Sequence, residues 1–276
     1  MTIKVLKDYE YFKTDNGILY CGDCNEILPL LEKESIDLVV TSPPYNVAIN
    51  YDNYNDNILE EEYFKFTKGW IDGLKDIVKV GGRLGINIPI IGNSIKISKS
   101  EKYVFYLDKY INIIEKNYTL REIITWIKSH SDKDENGSCA ELGSAWGSWK
   151  SPSNPFCRSM SEFIIIAHKE LPKIQHSGET DLTKEEFTAW ARNVWFMPTQ
   201  KSKEHPAVFN EQLPYRLIKF YTYIGDTILD PFMGSGTTAL VAEKLKRKWI
   251  GVEQSPKYCQ GIKNRVEYFS NQIKMF

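Results

Sequence analysis

Two short segments far apart in the chain hold residue types whose order could do chemistry: Thr41-Ser42-Pro43-Pro44-Tyr45 and Asp230-Pro231-Phe232-Met233-Gly234-Ser235-Gly236-Thr237. In the first, consecutive prolines fix φ and remove two backbone donors. The carbonyls and the Ser42 hydroxyl are then free to accept hydrogen bonds, and the Tyr45 ring follows at once. An exocyclic amine on a base is a poor nucleophile because its lone pair is delocalised into the ring. Two acceptors holding its N–H groups favour a pyramidal nitrogen whose lone pair points at an electrophile. Tyr45 could stack on the base, which in a duplex must leave the helix to reach such a pocket. In isolation the pentapeptide reads better as a Pro-Pro turn with a surface serine. Beside the second segment it does not.

That second segment follows a strand ending in Asp230 and opens a helix, and the next strand ends in Glu253. A nucleotide-type ligand lies across the carboxyl ends of parallel strands in such an arrangement. Glycines let backbone approach the ligand, and a carboxylate after the second strand can accept from both ribose hydroxyls. No third glycine is placed for a pyrophosphate. Asp230 would repel phosphate and attract an ammonium, so an adenosine ligand with a cationic amino-acid tail fits better than a dinucleotide. A plain strand-to-helix turn is the competing reading.

The elements that must position these groups alternate. Strands are expected at Ile18–Tyr20, Ile36–Thr41, Arg83–Ile88 and Ile123–Trp126, and after the middle of the chain at Glu162–Ala167, Thr227–Asp230 and Lys248–Glu253. A helix through Ile27–Leu31 has Asp23 or Asn25 as its cap. The spacing of Tyr63, Phe66, Trp70, Leu74 and Ile77 predicts a helix from Glu60 to Val80, closed by Gly81-Gly82. Further helices are predicted near Tyr103–Asn117, Thr183–Arg192, Glu211–Tyr223, Thr237–Leu245 and Pro256–Ile273. Lys128–Ser161 is irregular, as is Leu171–Phe209 outside its short helix, and irregular stretches this long are usually functional. The fold class is α/β, a mostly parallel twisted sheet with helices on both faces.

Bulk properties set limits. Hydrophobic residues are 42% and charged residues 26%, enough for a buried core. A net charge of -1 restricts any nucleic-acid surface to a local basic patch. The five cysteines are an odd number, Met1-Thr2-Ile3-Lys4 is no secretory leader, and no apolar run suggests a membrane span. A reduced, cytoplasmic setting is therefore expected. Cys21-Gly22-Asp23-Cys24 has no second pair at zinc distance, and His130, His168, His176 and His205 show no ligand spacing, so no metal is expected.

Leu38–Tyr45 resembles the catalytic motif of the DNA amino-methyltransferases, in the Ser-Pro-Pro-Tyr form typical of N4-cytosine enzymes, and Asp230–Thr238 resembles their S-adenosylmethionine loop. The catalytic motif comes first, which is the permuted, beta-group order. Gly22-Asp23, Val80–Leu84, His205-Pro206-Ala207 and Gly251-Val252-Glu253 agree, and the likeness runs from about Gly17 to Arg265.

The resemblance implies a Rossmann-like methyltransferase fold with an inserted target-recognition region, and S-adenosylmethionine as cofactor. Asp230 would contact the methionine end, with Phe232, Gly234, Ser235 and Gly236 as cradle and Thr237 at the helix start. Glu253 would hold the ribose, Asp23 would lie near the adenine or its ribose, and the helix beginning near His205-Pro206 would close over the methionine. Ser42, Pro43, Pro44 and Tyr45 would bind the target base for direct methyl transfer. Residues 1–127 would be the catalytic half and 205–276 the cofactor half. Residues 128–204 would be the recognition insertion, with one returning strand at about 162–168. Its Trp146, Trp149, Lys150, Ser151, Asn154 and Arg158 suit base edges and phosphates of double-stranded DNA, and Lys128 could touch the DNA backbone.

Ser42 favours cytosine N4. Adenine-N6 enzymes more often carry Asp or Asn there, and a hydroxyl can also donate, for instance toward cytosine N3. Adenine N6 is the alternative, followed by a methyltransferase with a non-DNA substrate or an inactive DNA-binding relative. A cognate restriction endonuclease acting separately fits this reading, as does either a monomer or a homodimer.

Overall fold

The computed structural model describes residues 5–92, 104–129, 159–200 and 210–273. Among the described residues nine strands form one sheet. They are β1 (Glu10–Lys13), β2 (Gly17–Cys21), β3 (Ile36–Thr41), β4 (Val78–Ile88), β7 (Thr119–Ser129), β8 (Ser161–His168), β9 (Val194–Pro198), β10 (Thr227–Asp230) and β11 (Lys248–Glu253). Their order is β1-β2-β11-β10-β3-β4-β8-β7-β9. From β2 to β4 every pairing is parallel, while β8 runs antiparallel to both β4 and β7, and β1 runs antiparallel to β2. Two short strands, β5 (Ile91–Gly92) and β6 (Val104–Phe105), pair separately.

Successive side chains on a strand point to opposite faces, and in β3 both faces are covered. Val39 joins a core with Ile27, Trp70, Ile71 and Tyr110, from helices α1 (Cys24–Ile27), α2 (Glu60–Gly73) and α3 (Tyr106–Ile114). Leu38 and Val40 join Leu217, Val241 and Ile262 on the other side. These come from α5 (Gln212–Tyr221), α6 (Thr237–Lys244) and α7 (Pro256–Ile273). Full burial stabilises each such aliphatic side chain by about 1.5–3 kcal/mol, so β3 is held firmly in register.

Two expectations need correction. The helix predicted to reach Val80 ends at Gly73. Leu74 and Ile77 keep the helical spacing because a turn buries both in the same core, and Val78 already belongs to β4. Gly81-Gly82 is not a helix stop. It lies at an irregularity where the β3–β4 register jumps from Ile36↔Val78 to Leu38↔Arg83. Gly81 has φ +79, and an added Cβ would lie 2.1 Å from the Lys173 carbonyl oxygen. Second, residues 128–204 contribute two strands to the main sheet. β9 pairs in parallel with β7 and buries Trp195 and Met197. Between β8 and β9 lies the predicted short helix, α4 (Lys184–Trp190), with Thr183 and Glu186 forming a capping box.

The amino ends of β3 and β10 are clamped by charge. Buried Asp37 accepts from Lys79 Nζ at 2.8 and 2.7 Å and from Thr227 N at 2.9 Å. His176 Nε2 lies 2.8 Å from Asp226 Oδ1. The opposite end of the sheet is open, and the chemistry-bearing residues gather there. No helix among the described residues is long and apolar enough to cross a membrane.

Candidate active site

A cavity of about 380 Å³ lies over the carboxyl ends of the parallel strands and the amino end of β8. Its volume falls in the range of small-molecule sites. The two segments singled out by residue type meet across it, because β10 lies directly between β3 and β11.

On one side are Gly22, Asp23, Phe232, Gly234, Ser235 and Glu253. Asp23 caps α1 by accepting from Asn25 N at 2.8 Å. Phe232 is anchored from behind, its ring 5.3 Å from Trp70 and 5.8 Å from Phe66. Glu253 accepts from Gly234 N at 2.8 Å and from Ser255 N at 2.9 Å. Burial pushes its carboxyl up to about 7 against those amides, and the nearby Asp230 adds to the rise.

Asp230 does not line the cavity, nor do Gly236 and Thr237. Asp230 is fully buried and accepts from Thr41 Oγ1 at 2.8 Å, Phe232 N at 3.0 Å and Thr238 Oγ1 at 2.6 Å. It thereby ties the end of β3 to the start of α6. Burial raises its carboxyl to about 6 despite the three donors. Gly236 takes φ +77 as N-cap of α6, a left-handed conformation that glycine tolerates.

The other side of the cavity holds Ser42, Pro43, Pro44 and Tyr45. Behind them lie Asn87 from the end of β4, Glu162 from the start of β8 and Lys128 from the end of β7. Ser42 Oγ is 2.6 Å from Tyr45 Oη, which is 3.0 Å from Glu162 Oε2. Asn87 Nδ2 donates to Tyr45 Oη at 2.8 Å and to Glu162 Oε2 at 2.6 Å. Lys128 Nζ pairs with Glu162 Oε1 at 2.7 Å. Burial, together with the adjacent Glu162, holds the Tyr45 phenol well above its usual value, so it stays neutral.

Residue-type reasoning missed Asn87 and Glu162, which carry no local motif, and placed Lys128 toward DNA rather than in this wall. It also missed the segment between Asn46 and Ile58. Buried Asp56 accepts from the amides of Asn46, Val47 and Ile49 at 2.7, 3.0 and 3.0 Å. The segment brings Tyr51, Asn53 and Tyr54 to the cavity, and Asp52 accepts from Ser255 Oγ at 2.7 Å. The Asp/Asn-rich run Asp52-Asn53-Tyr54-Asn55-Asp56-Asn57 was the available signal. His205, Pro206, Trp146, Trp149, Lys150, Ser151, Asn154 and Arg158 lie outside the described residues.

An adenosyl ligand suits this wall. Glu253 faces the space with lone pairs to spare, and Tyr54, whose buried hydroxyl has no partner among the described residues, is another of its lining residues. Across the same space stands a set of hydrogen-bond acceptors suited to an amine. Fold and site together define a group-transfer enzyme of the α/β class.

Comparison with known proteins narrows the class. Residues 36–264 match the N6/N4 methyltransferase family model, a DNA methylase. The type II methyltransferase M.MjaVI of Methanocaldococcus jannaschii is 36% identical over 191 residues, covering 68% of this chain and 90% of that protein. M.BglI of Bacillus subtilis, also a type II methyltransferase, is 30% identical over 315 residues, covering 96% and 89%. In fold, the chain resembles TTHA0409 of Thermus thermophilus, named a putative DNA modification methylase, in complex with S-adenosyl-L-methionine (TM-score 0.69, 23% identity, 91% and 93% of the two chains). It is equally similar to the PvuII DNA methyltransferase, cytosine-N4-specific (TM-score 0.69, 22% identity, 94% and 93%). The chain belongs to the N6/N4 DNA methylase family, and the protein is a DNA methyltransferase.

Proposed function

We propose that the protein is a site-specific enzyme that methylates the exocyclic N4 amine of cytosine in duplex DNA, with S-adenosylmethionine as cofactor. The observation that carries the base assignment is the hydroxyl of Ser42 in the acceptor pocket, where a carboxylate or amide would suit adenine better. The cytosine-N4 specificity named for the PvuII enzyme of the same fold supports it. Adenine N6 is the second reading, because the matched family spans both amines. The type II names of the relatives favour a place in restriction–modification, with an endonuclease acting separately.

When bound, S-adenosylmethionine supplies an electrophilic methyl group on a sulfonium. Glu253 would accept from its ribose hydroxyls, with Asp23 nearby, and Phe232, Gly234 and Ser235 would line its berth. Asp230, Gly236 and Thr237 would act from behind by fixing the loop. On the target side, Ser42 Oγ and the Pro43 carbonyl hold the amine, and Tyr45 and Pro44 wall the base. Catalysis would come chiefly from positioning and desolvation of the reacting groups. Residues 128–204 would supply target recognition around β8 and β9, and the segment near His205-Pro206 would close over the methionine.

Tritiated S-adenosylmethionine and duplex DNA test this directly, with the product digested to nucleosides. Label is expected in N4-methyl-2′-deoxycytidine. Label in N6-methyl-2′-deoxyadenosine would overturn the base assignment, and no label in DNA would overturn the activity.

A further inference from the structure

Methylating a base amine leaves a proton on nitrogen that must depart, and the groups behind Ser42 offer it a route. Resting on the base-amine reading above, we propose that Ser42, Tyr45 and Glu162 form a proton relay from the target amine to the Glu162 carboxylate, with Asn87 and Lys128 holding that carboxylate in place.

The hydrogen-bond directions follow from donor counting. Asn87 must turn its Nδ2 toward Glu162, since its Oδ1 at 2.6 Å from a carboxylate oxygen would be repelled. Nδ2 also reaches Tyr45 Oη, so that oxygen accepts from Asn87. The single phenol proton then has three acceptors within reach: Ser42 Oγ at 2.6 Å, Glu162 Oε2 at 3.0 Å and the Asn87 carbonyl at 3.3 Å. Of these only the carboxylate carries a charge, and charge-assisted hydrogen bonds are the stronger. With the Tyr45 proton committed to Glu162, the 2.6 Å contact with Ser42 has Ser42 as donor. The Ser42 lone pairs are left facing the cavity, as acceptors for the amine. In this arrangement the Ser42 hydroxyl acts toward the base as an acceptor.

The step balances. The amine N–H bond breaks as a proton joins Ser42 Oγ, and the original Ser42 proton passes to Tyr45 Oη. The original Tyr45 proton passes to Glu162 Oε2. The methylated amine ends neutral, Glu162 ends as a carboxylic acid, and no charge rests on Ser42 or Tyr45. Glu162 resets by giving the proton to water, its side chain being 12% exposed. Among the described residues the groups facing it are Lys128 from β7, Asn87 from β4 and Tyr45 from the segment after β3, and of these Lys128 is the charged one. Glu162 acts through Tyr45 and is a positioning and proton-accepting residue.

The test is single-turnover methyl transfer to DNA that the wild type labels, for wild type, Tyr45→Phe, Glu162→Gln and the double variant. Cofactor affinity is measured in parallel by calorimetry and duplex affinity by fluorescence anisotropy. Tyr45→Phe keeps the ring and removes only the relay hydroxyl. Each single variant is expected to lose about 10²-fold in rate, with both affinities within about threefold of wild type. The double variant is expected to be no slower than the worse single, because one broken link already closes the route. Tyr45→Phe at the wild-type rate, or losses that multiply in the double variant, would overturn the relay alone. A wild type that labels no DNA would overturn the reading beneath it as well.

Discussion

Ser42 directly follows β3 and Glu253 ends β11, the strands on either side of β10, so a hydroxyl acceptor and a carboxylate face one cavity from opposite walls. This separation predicts separable defects. Ser42→Ala removes an acceptor for the amine and touches nothing on the cofactor side, so turnover is expected to drop about 10²-fold with S-adenosylmethionine Kd within about twofold. Equal loss of both would show that Ser42 does not act at the base. Glu253 predicts a pH effect. Burial lifts its carboxyl to about 7 in the free protein, while ribose hydroxyls and a cationic ligand both favour the charged form. Binding should therefore release a proton, and calorimetric Kd should weaken as pH falls below about 7, approaching tenfold per unit. A flat profile, or proton uptake, would contradict that role for Glu253. Both residues were legible in the sequence because they sit in or beside motifs whose chemistry is local. Asn87 and Glu162 were not. They meet only because β8 returns antiparallel beside β4, a pairing between residues far apart in the chain.

At the scale of elements, the signals that survived were those a single segment carries by itself. The buried run Ile36–Thr41 and the turn at Gly234–Gly236 were readable in this way. The failures came from tertiary partners. Leu74 and Ile77 look helical because a turn and a helix can bury the same spacing of side chains, and Val194–Pro198 is too short to declare itself before β7 offers an edge. Gly81 serves a different purpose from the helix stop its position suggests. It is required where β4 passes the Lys173 carbonyl, at a positive φ. Gly81→Ala is expected to cost more than about 1 kcal/mol, since it adds both conformational strain and a clash, and to lower Tm by at least about 2–4 °C. Calorimetry or thermal circular dichroism measures it. An unchanged Tm would mean that the 171–174 segment shifts away freely and does not fix the β4 irregularity. Methyl transfer should survive in the folded fraction, because Gly81 lies toward the end of the sheet away from the cavity.

For the molecule as a whole, the order of the two motifs made the sheet and its functional end readable, whereas the burial of the carboxyl groups there arises only once the strands pack side by side. That burial has a thermodynamic consequence. Asp230 is raised from 3.8 to about 6 and Glu253 from 4.5 to about 7, each chiefly by burial. Between about pH 4 and 7 the folded protein therefore holds protons that the unfolded chain has released. Stability changes with pH in proportion to protons bound unfolded minus protons bound folded. That difference is negative here, so these two groups contribute stability at acid pH that is lost as pH rises through 6 and 7. Glu186 beside Lys219 and Glu211 beside Lys244 and Arg265 work oppositely. Hydrogen bonds and charge from those partners outweigh burial and hold both carboxyls below the usual range. Their contribution is lost only at pH below about 4.5. The Tm of the free protein is thus expected to decline from pH 5 to pH 8, and Glu253→Gln should flatten the upper part of that decline. Saturating S-adenosylmethionine should raise Tm more at pH 8 than at pH 6, because the charged Glu253 that destabilises the free protein is the form that binds. A ligand-induced shift that shrinks toward pH 8 would place the cofactor's contacts elsewhere and separate the buried carboxylates from binding.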